Sequence, residues 1–163
     1  MLLRSLGQTI LLTLLSLIFA MIVGLIFALM NVGRNRIFNF IGTLYVDAVR
    51  GVPLIVLAYF IYFGIPAGIK SMGIQNFRLT ALSAGTIALA MNCGAYMAEI
   101  IRAGIESVDK GQMEASRSLG LSYGKSMRLV VLPQAIRTMI PSIINQFIIT
   151  LKDTSILSVI AFP

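Results

Sequence analysis

Residues 10–30 read ILLTLLSLIFAMIVGLIFALM, 21 positions without a charged side chain. A helix rises about 1.5 Å per residue and the hydrocarbon core of a bilayer is about 30 Å thick, so roughly 20 such residues cross it once. The stretch is too long for the apolar core of a signal peptide and no small-residue cleavage site follows it, so it reads as a retained membrane helix. Three more uncharged stretches follow: Gly51 to Ile69, Leu79 to Ala98, and Thr138 to Leu151. The last has only 14 residues between Arg137 and Lys152. A span there must begin within Val130 to Arg137 or carry Lys152 and Asp153 into the membrane. The expectation is an all-α membrane protein: one domain over residues 1–163, with spans near 10–30, 52–67, 80–98 and 133–151, the last kinked at Pro141.

Composition agrees. The 163 residues are 58% hydrophobic and 12% charged, with mean hydropathy +0.92, more apolar surface than one soluble domain of this size buries. There is no His and one cysteine, Cys93, which leaves no disulfide framework, no His/Cys metal cluster and no Cys/His catalytic pair. No cofactor or metal is expected. Thirteen Lys and Arg stand against six Asp and Glu, an excess that in a membrane chain marks the cytoplasmic loops rather than a nucleic-acid surface. Three basic residues fall in 31–51 (Arg34, Arg36, Arg50) and six in 99–137, against Arg4, Lys70, Arg78 and Lys152 elsewhere. That places the N-terminus and the C-terminal tail outside and both basic loops in the cytoplasm.

The largest polar segment, the loop at about 102–132, has helical grammar of its own: Asp109 before Gly111, then Glu114 to Leu119, then a breaker at Gly120. A short helix lying on the membrane surface is expected. Gly120-Leu121-Ser122-Tyr123-Gly124-Lys125-Ser126 looks like a phosphate-binding loop, but its glycines have three residues between them where a cradle needs four, and no strand precedes it. Any ATP hydrolysis must come from a separate subunit, and the chain itself is not expected to be an enzyme.

Within that loop, Glu114-Ala115-Ser116, Gly120 and then Val130, Leu132-Pro133 resemble the signature of permease subunits of ATP-binding-cassette (ABC) importers. The resemblance continues through Tyr45 to Pro53, Asn92 to Gly104, Lys110-Gly111-Gln112-Met113-Glu114-Ala115, Leu132 to Arg137 and Leu151-Lys152-Asp153-Thr154-Ser155, blocks similar to those of polar amino-acid permeases, nearest the glutamine and glutamate type. It implies a type I importer-like fold and a coupling helix that docks on the ATPase, with Gly111, Glu114, Ala115, Ser116, Gly120 and Pro133 in that role. It also implies partners: ABC ATPase subunits, a second permease subunit in a homo- or heterodimer, and an extracytoplasmic amino-acid-binding protein, assembled in the lipid bilayer of a bacterial cell. Ser116 stands where many members have Ala, and the family continues into a further span beyond the Lys-Asp-Thr-Ser block, so a last helix is expected to be missing from a chain that stops at Pro163.

Charged groups inside a bilayer are costly, about 2.5–3.5 kcal/mol each on insertion scales, and so are functional candidates. Lys152 and Asp153 are the first of these, able to meet the carboxylate and ammonium of an amino acid, with Thr154, Ser155, Asn145 and Gln146 as neutral neighbours. The competing reading has Lys152 snorkelling to the interface and Asp153 capping a helix that starts at Thr154. Glu99 with Arg102, and Asp47 with Arg50, are three apart and are read as structural pairs. Two other functions stay open: an ion-coupled carrier or channel, and a truncated permease that does not transport.

Overall fold

The computed structural model describes residues 2–33, 35–74 and 76–160, and only the backbone of 2–5 and 158–160. Arg34, counted above with the first basic segment, and positions 161–163 of the expected outer tail lie outside the described residues. The regular elements among them are all helical: α1 (Leu2–Val32), α2 (Arg36–Gly51), α3 (Leu54–Tyr59), α4 (Ile65–Ser71), α5 (Ala81–Glu106), α6 (Lys110–Ser118), α7 (Tyr123–Ser126) and α8 (Leu132–Asp153). A π turn, Phe60–Gly64, fuses α3 to α4, a second, Met127–Val131, fuses α7 to α8, and a 3-10 turn, Thr154–Ile160, follows α8.

Four runs are long and apolar enough to cross a membrane: Leu6–Val32, Leu54–Ser71, Ala81–Glu106 and Tyr123–Leu157. The number is the one expected, but the bounds differ, most of all at the end of the third run, which reaches Glu106, and at the start of the last. Pro133, expected at the start of a helix, stands within a continuous run that begins at Tyr123. Both π turns end two residues before a proline, Pro66 and Pro133. A proline ring clashes with the carbonyl four residues back and has no N–H to offer, and widening the preceding turn accommodates both defects without ending the helix. Pro141 stands inside α8 on its exposed side.

The second change is α2. Residues 31–51 were expected only as a basic connection, yet they hold a 16-residue helix with Asn35 as its N-cap, whose side chain accepts from the Ile37 amide. It folds back along α1. Asn39 Nδ2 donates to the Asn31 carbonyl at 2.6 Å, Phe27 stacks on Tyr45 with centroids 3.9 Å apart, and the Tyr45 hydroxyl donates to the Met91 carbonyl at 2.8 Å. The helix stops because Pro53 forces the residue before it out of helical space: Val52 is extended at φ −104°, ψ 128°.

The centre of the bundle is α1 against α5, and small residues make it. Ala20, Ala28, Ala95 and Ala98 are fully buried. A Cβ on Gly24 would sit 2.5 Å from that of Met97, and one on Gly94 would sit 2.9 Å from Val23 Cγ1. In lipid, where the hydrophobic effect does not draw helices together, such close backbone approach and the dispersion contacts it permits hold them. The opposite face of α1, with Leu14, Ile18, Ile22, Leu25 and Leu29, is about half exposed, as a lipid-facing surface should be.

The short helix in the loop is α6. Asp109 caps its start, accepting from the Gly111 amide at 2.7 Å. At its end the Gly120 amide donates to the Arg117 carbonyl and the Leu121 amide to that of Ser116, a paired closure that needs a left-handed residue, and Gly120 has φ +88°.

Candidate functional site

Three helices each carry a polar stripe. On α2 it is Asn39, Thr43, Asp47 and Arg50; on α5, Asn92, Tyr96, Glu99, Arg102 and Glu106; on α8, Gln146, Thr150 and Asp153. Steps of three and four keep each set on one helical face. The faces meet around two cavities.

The first cavity, of about 390 Å³, is lined by the break between α2 and α3 (Arg50, Gly51, Val52, Pro53, Leu54), by Asn92 and Tyr96 near the middle of α5, and by Gln146, Ile149 and Asp153 of α8. The Arg50 guanidinium stands 5.2 Å from the centre of the Tyr96 ring, and its nearest carboxylate, Glu99, is 3.9 Å away. Arg50 makes no hydrogen bond among the described residues, nor do the side chains of Asn92 and Asp153. Opening into the same space is the start of the α3–α4 run. The carbonyl of Pro53 is taken by the amides of Val56 and Leu57, while the first amides of a helix have no partner inside it and give that end a partial positive charge. One cavity therefore holds a guanidinium and a carboxylate that make no hydrogen bond, a helix start and two primary amides, that of Gln146 beside the Cys93 thiol. Such a set can replace the water around a small molecule bearing both a carboxylate and an ammonium.

The second cavity, of about 310 Å³, continues along α5 toward α6 and is lined by Asn31, Asn39, Thr43, Val46, Asp47, Arg50, Glu99, Arg102 and Glu106. Here the charges of α5 are paired with one another. Arg102 donates to both oxygens of Glu99, at 2.6 and 3.0 Å, and to Glu106 at 2.6 Å. Asp47, read from sequence as the mate of Arg50, forms no ion pair with it among the described residues; Arg50 turns across to α5 instead, toward Tyr96 and Glu99.

Of the residues singled out in the sequence as substrate contacts, Asp153 and Gln146 line the first cavity and the others do not. Lys152 and Asn145 are exposed. Thr154 is buried, but its hydroxyl donates to the Leu151 carbonyl at 2.7 Å, and that of Ser155 to the Lys152 carbonyl at 2.8 Å. Asp153 is the last residue of α8 and the 3-10 turn follows it directly, so it is not the cap of a separate helix. Asn92, Tyr96 and Arg50 were not proposed as contacts from sequence. The stripe spacing could have found them.

On α6, Gly111, Glu114 and Ala115 are exposed, while Ser116 is buried. Its hydroxyl donates to the Met113 carbonyl at 2.9 Å. The small side chain expected to admit a docking partner is turned into the domain; Glu114 and Ala115 form the outward surface. Leu119, beyond the end of α6, is 85% exposed, and Pro133 is exposed on its helix.

Residues 6–162 match the family of binding-protein-dependent transport system inner membrane components. The chain is 40% identical over 154 residues to a probable glutamine ABC transporter permease protein of Bacillus subtilis (strain 168), 94% of this chain and 68% of that protein. It is 37% identical to the arginine transport system permease protein of the same strain, covering 97% and 69%, and 43% identical to its L-cystine transport system permease protein, covering 92% and 61%. The chain thus spans about two thirds of the length of these relatives. A crystal structure of an amino acid ABC transporter with histidines superposes with TM-score 0.85 at 42% identity, over 94% of this chain and 69% of that one. The inward-facing MetNI methionine ABC transporter shares the fold, with TM-score 0.69 at 23% identity.

Proposed function

Because this chain belongs to the family of binding-protein-dependent transport system inner membrane components, we propose that it is the permease subunit of an ABC importer for a polar amino acid, and that the cavity between Arg50 and Asp153 holds that amino acid in transit. The observation that carries the reading is the cavity itself: a guanidinium and a carboxylate, neither of them hydrogen-bonded, face one space beside the middle of the spanning helix α5, where a charge left idle is costly. The carboxylate of an amino acid would lie toward Arg50 and the start of α3. Its ammonium, or a cationic side chain, would lie toward Asp153. Asn92 and Gln146 supply neutral donors and acceptors, and Tyr96 a flat wall. Relatives named for glutamine, arginine and cystine support the class and leave the side chain open.

In this reading α6 is the coupling helix, and its exposed Glu114, Ala115 and Leu119 meet a separate ATPase. Two permease subunits and an extracytoplasmic binding protein complete the assembly in a bacterial cell membrane, with residues 1–163 acting as one membrane domain. The motions of the ATPases would be relayed through α6 to the α7–α8 run, to which α6 is joined by only the few residues after Gly120. An ion-coupled carrier would place the same charges on an ion path and leave α6 without a partner.

The test is reconstitution of the chain with its ATPase and binding protein in proteoliposomes. ATP-dependent uptake of glutamine, arginine or cystine is expected. Uptake that follows an ion gradient without ATP would instead establish the carrier. Replacing Glu114 by Lys should release the ATPase from detergent-solubilised complexes while the chain stays in the membrane; retention of the ATPase would remove Glu114 from the contact.

A further inference from the structure

Arg50 belongs to the walls of both cavities, and the proposal drawn from this rests on the amino-acid reading of the first. We propose that Arg50 is a latch between two successive compartments: empty, it leans on Tyr96 and Glu99 and divides them; with an amino acid present, its guanidinium turns to the substrate carboxylate and joins them.

Four observations carry this. First, Arg50 is loosely held. A guanidinium has five N–H donors, yet this one makes no hydrogen bond among the described residues and approaches Glu99 only to 3.9 Å, outside hydrogen-bond range. Second, Glu99 does not depend on it. Both Glu99 oxygens already accept from Arg102, so the departure of Arg50 strands no carboxylate. Third, Arg50 is the last charged residue of α2, one position from the Gly51 that ends the helix. Its side chain hangs from an end that borders an extended break rather than from the middle of a packed helix.

Fourth, the second compartment is polar along its length, Val46 apart. Asn39, Thr43 and Asp47 on α2 face Glu99, Arg102 and Glu106 on α5. Asn31 closes the far wall, and its Oδ1 is buried with no hydrogen-bond partner. A stripe of this kind is poor helix packing. It is a suitable lining for a hydrated zwitterion leaving the first cavity, because each side chain can take over one interaction with water.

The exchange also gives selectivity a physical basis. A molecule without a carboxylate offers Arg50 nothing better than its place on Tyr96 and Glu99. It would leave the divider shut even if its other end fitted against Asp153. A ligand shifts such an equilibrium only by its differential affinity for the two positions, and here the difference is one charge-assisted, two-point contact between guanidinium and carboxylate.

The experiment uses membranes from cells that express the chain with its transport partners, in a Cys93→Ala background. Thr43→Cys reports the second compartment and Ile149→Cys the first, each by its rate of reaction with a small, charged methanethiosulfonate. Glutamine, arginine and cystine are tried in turn. The amino acid that protects Ile149→Cys should speed labelling of Thr43→Cys several-fold, and the amine that matches it but lacks the carboxylate should not. In Arg50→Gln the speeding should vanish; in Arg50→Lys, which keeps the charge without the fork, it should be weak. Protection at Ile149→Cys with an unchanged rate at Thr43→Cys overturns the latch while leaving the amino-acid reading intact. A response that persists in Arg50→Gln overturns it as well. Failure of all three amino acids to protect Ile149→Cys overturns both. If Arg50→Gln does not reach the membrane, the Arg50→Lys response decides: full speeding rules the latch out, and reduced speeding supports it.

Discussion

Two faces of α5 meet the rest of the chain in opposite ways. Toward α1 the helix is dry and close, with Ala95 and Ala98 fully buried and Gly94 pressed on Val23. Beside the end of α2 and the last turns of α8 it is polar and loose, with two cavities of about 310 and 390 Å³, whereas its C-terminal turns pack closely on α8, where a Cβ on Gly104 would stand 2.9 Å from Met139 Cε. The seven residues from Asn92 to Ala98 contribute to both. One helix can therefore serve as bearing and as channel wall, because the 3.6-residue period sends neighbouring side chains to different partners. The contrast implies that substitutions on the dry face should act through assembly, and substitutions on the wet face through transport.

The largest effect is expected where the backbones are closest. In Gly94→Leu the new side chain has no room, since its Cβ alone would stand 2.9 Å from Val23 Cγ1. Overpacking typically costs about 1–3 kcal/mol and occasionally more, and here the displaced element is a whole spanning helix, which puts the cost at the upper end. The variant should be degraded or misassembled, seen as loss of the membrane-integrated band and of a monodisperse peak in detergent. Normal assembly with impaired uptake would show that the α1–α5 contact moves during transport, and the bearing would have to be redrawn as a moving part.

Next comes Asp153→Asn, which should assemble normally and lose affinity. A charge-assisted hydrogen bond contributes about 1.5–3 kcal/mol, so the Kd for the transported amino acid should rise roughly 10- to 150-fold. Substrate-stimulated ATPase activity over a range of amino-acid concentrations reads this directly. A cationic substrate held by its side chain should suffer most. An unchanged concentration dependence would take Asp153 out of the cavity's chemistry and leave Arg50 as its one charged contact.

A smaller effect is expected at Arg102→Gln. Its guanidinium serves Glu99 and Glu106 with three short bonds, yet its side chain is 31% exposed, and ion pairs within reach of water contribute about 1 kcal/mol or less. Assembly should survive with a slightly lower unfolding midpoint and a greater sensitivity to salt. A collapse as severe as that of Gly94→Leu would mean that the wet seam also holds the bundle together.

The two faces were not equally legible in the sequence. Hydropathy alone was enough to count the spans, because a bilayer demands an uncharged run of a set length and little else. The loop helix could be read from Asp109 and Gly120, since a cap and a left-handed terminator are local requirements. The start of the last span was placed too late. Pro133 reads as a beginning when only the standard helix is considered, and a π turn that carries the chain through proline has no obvious residue signature. Helix α2 was missed because Arg36, Asn39, Asp47 and Arg50 break its apolar run, and a stripe of polar residues at helical spacing looks like a loop until its period is counted. That same stripe supplies Arg50. Asn92 and Tyr96 stayed hidden for a related reason: an uncharged polar residue inside a span does not interrupt the hydropathy that defines it.

Lys152→Gln separates what sequence adjacency had joined. Lys152 and Asp153 look equivalent as charges at the edge of a span, but successive residues of a helix point about 100° apart, and only one of two neighbours can face a given cavity. Asp153 lines it; Lys152 is exposed and does not. Its long aliphatic stem can lie along the apolar surface with the ammonium at the interface. Neutralising it should leave the concentration dependence of amino-acid-stimulated ATPase activity within about twofold of the parent, less than 0.5 kcal/mol, as is usual for an exposed side chain. A large loss would mean that the exposed face of α8 is covered in the working assembly, so that Lys152 meets another subunit. The polar region would then extend past the single chain, and the contrast between the faces of α5 would apply to the chain alone.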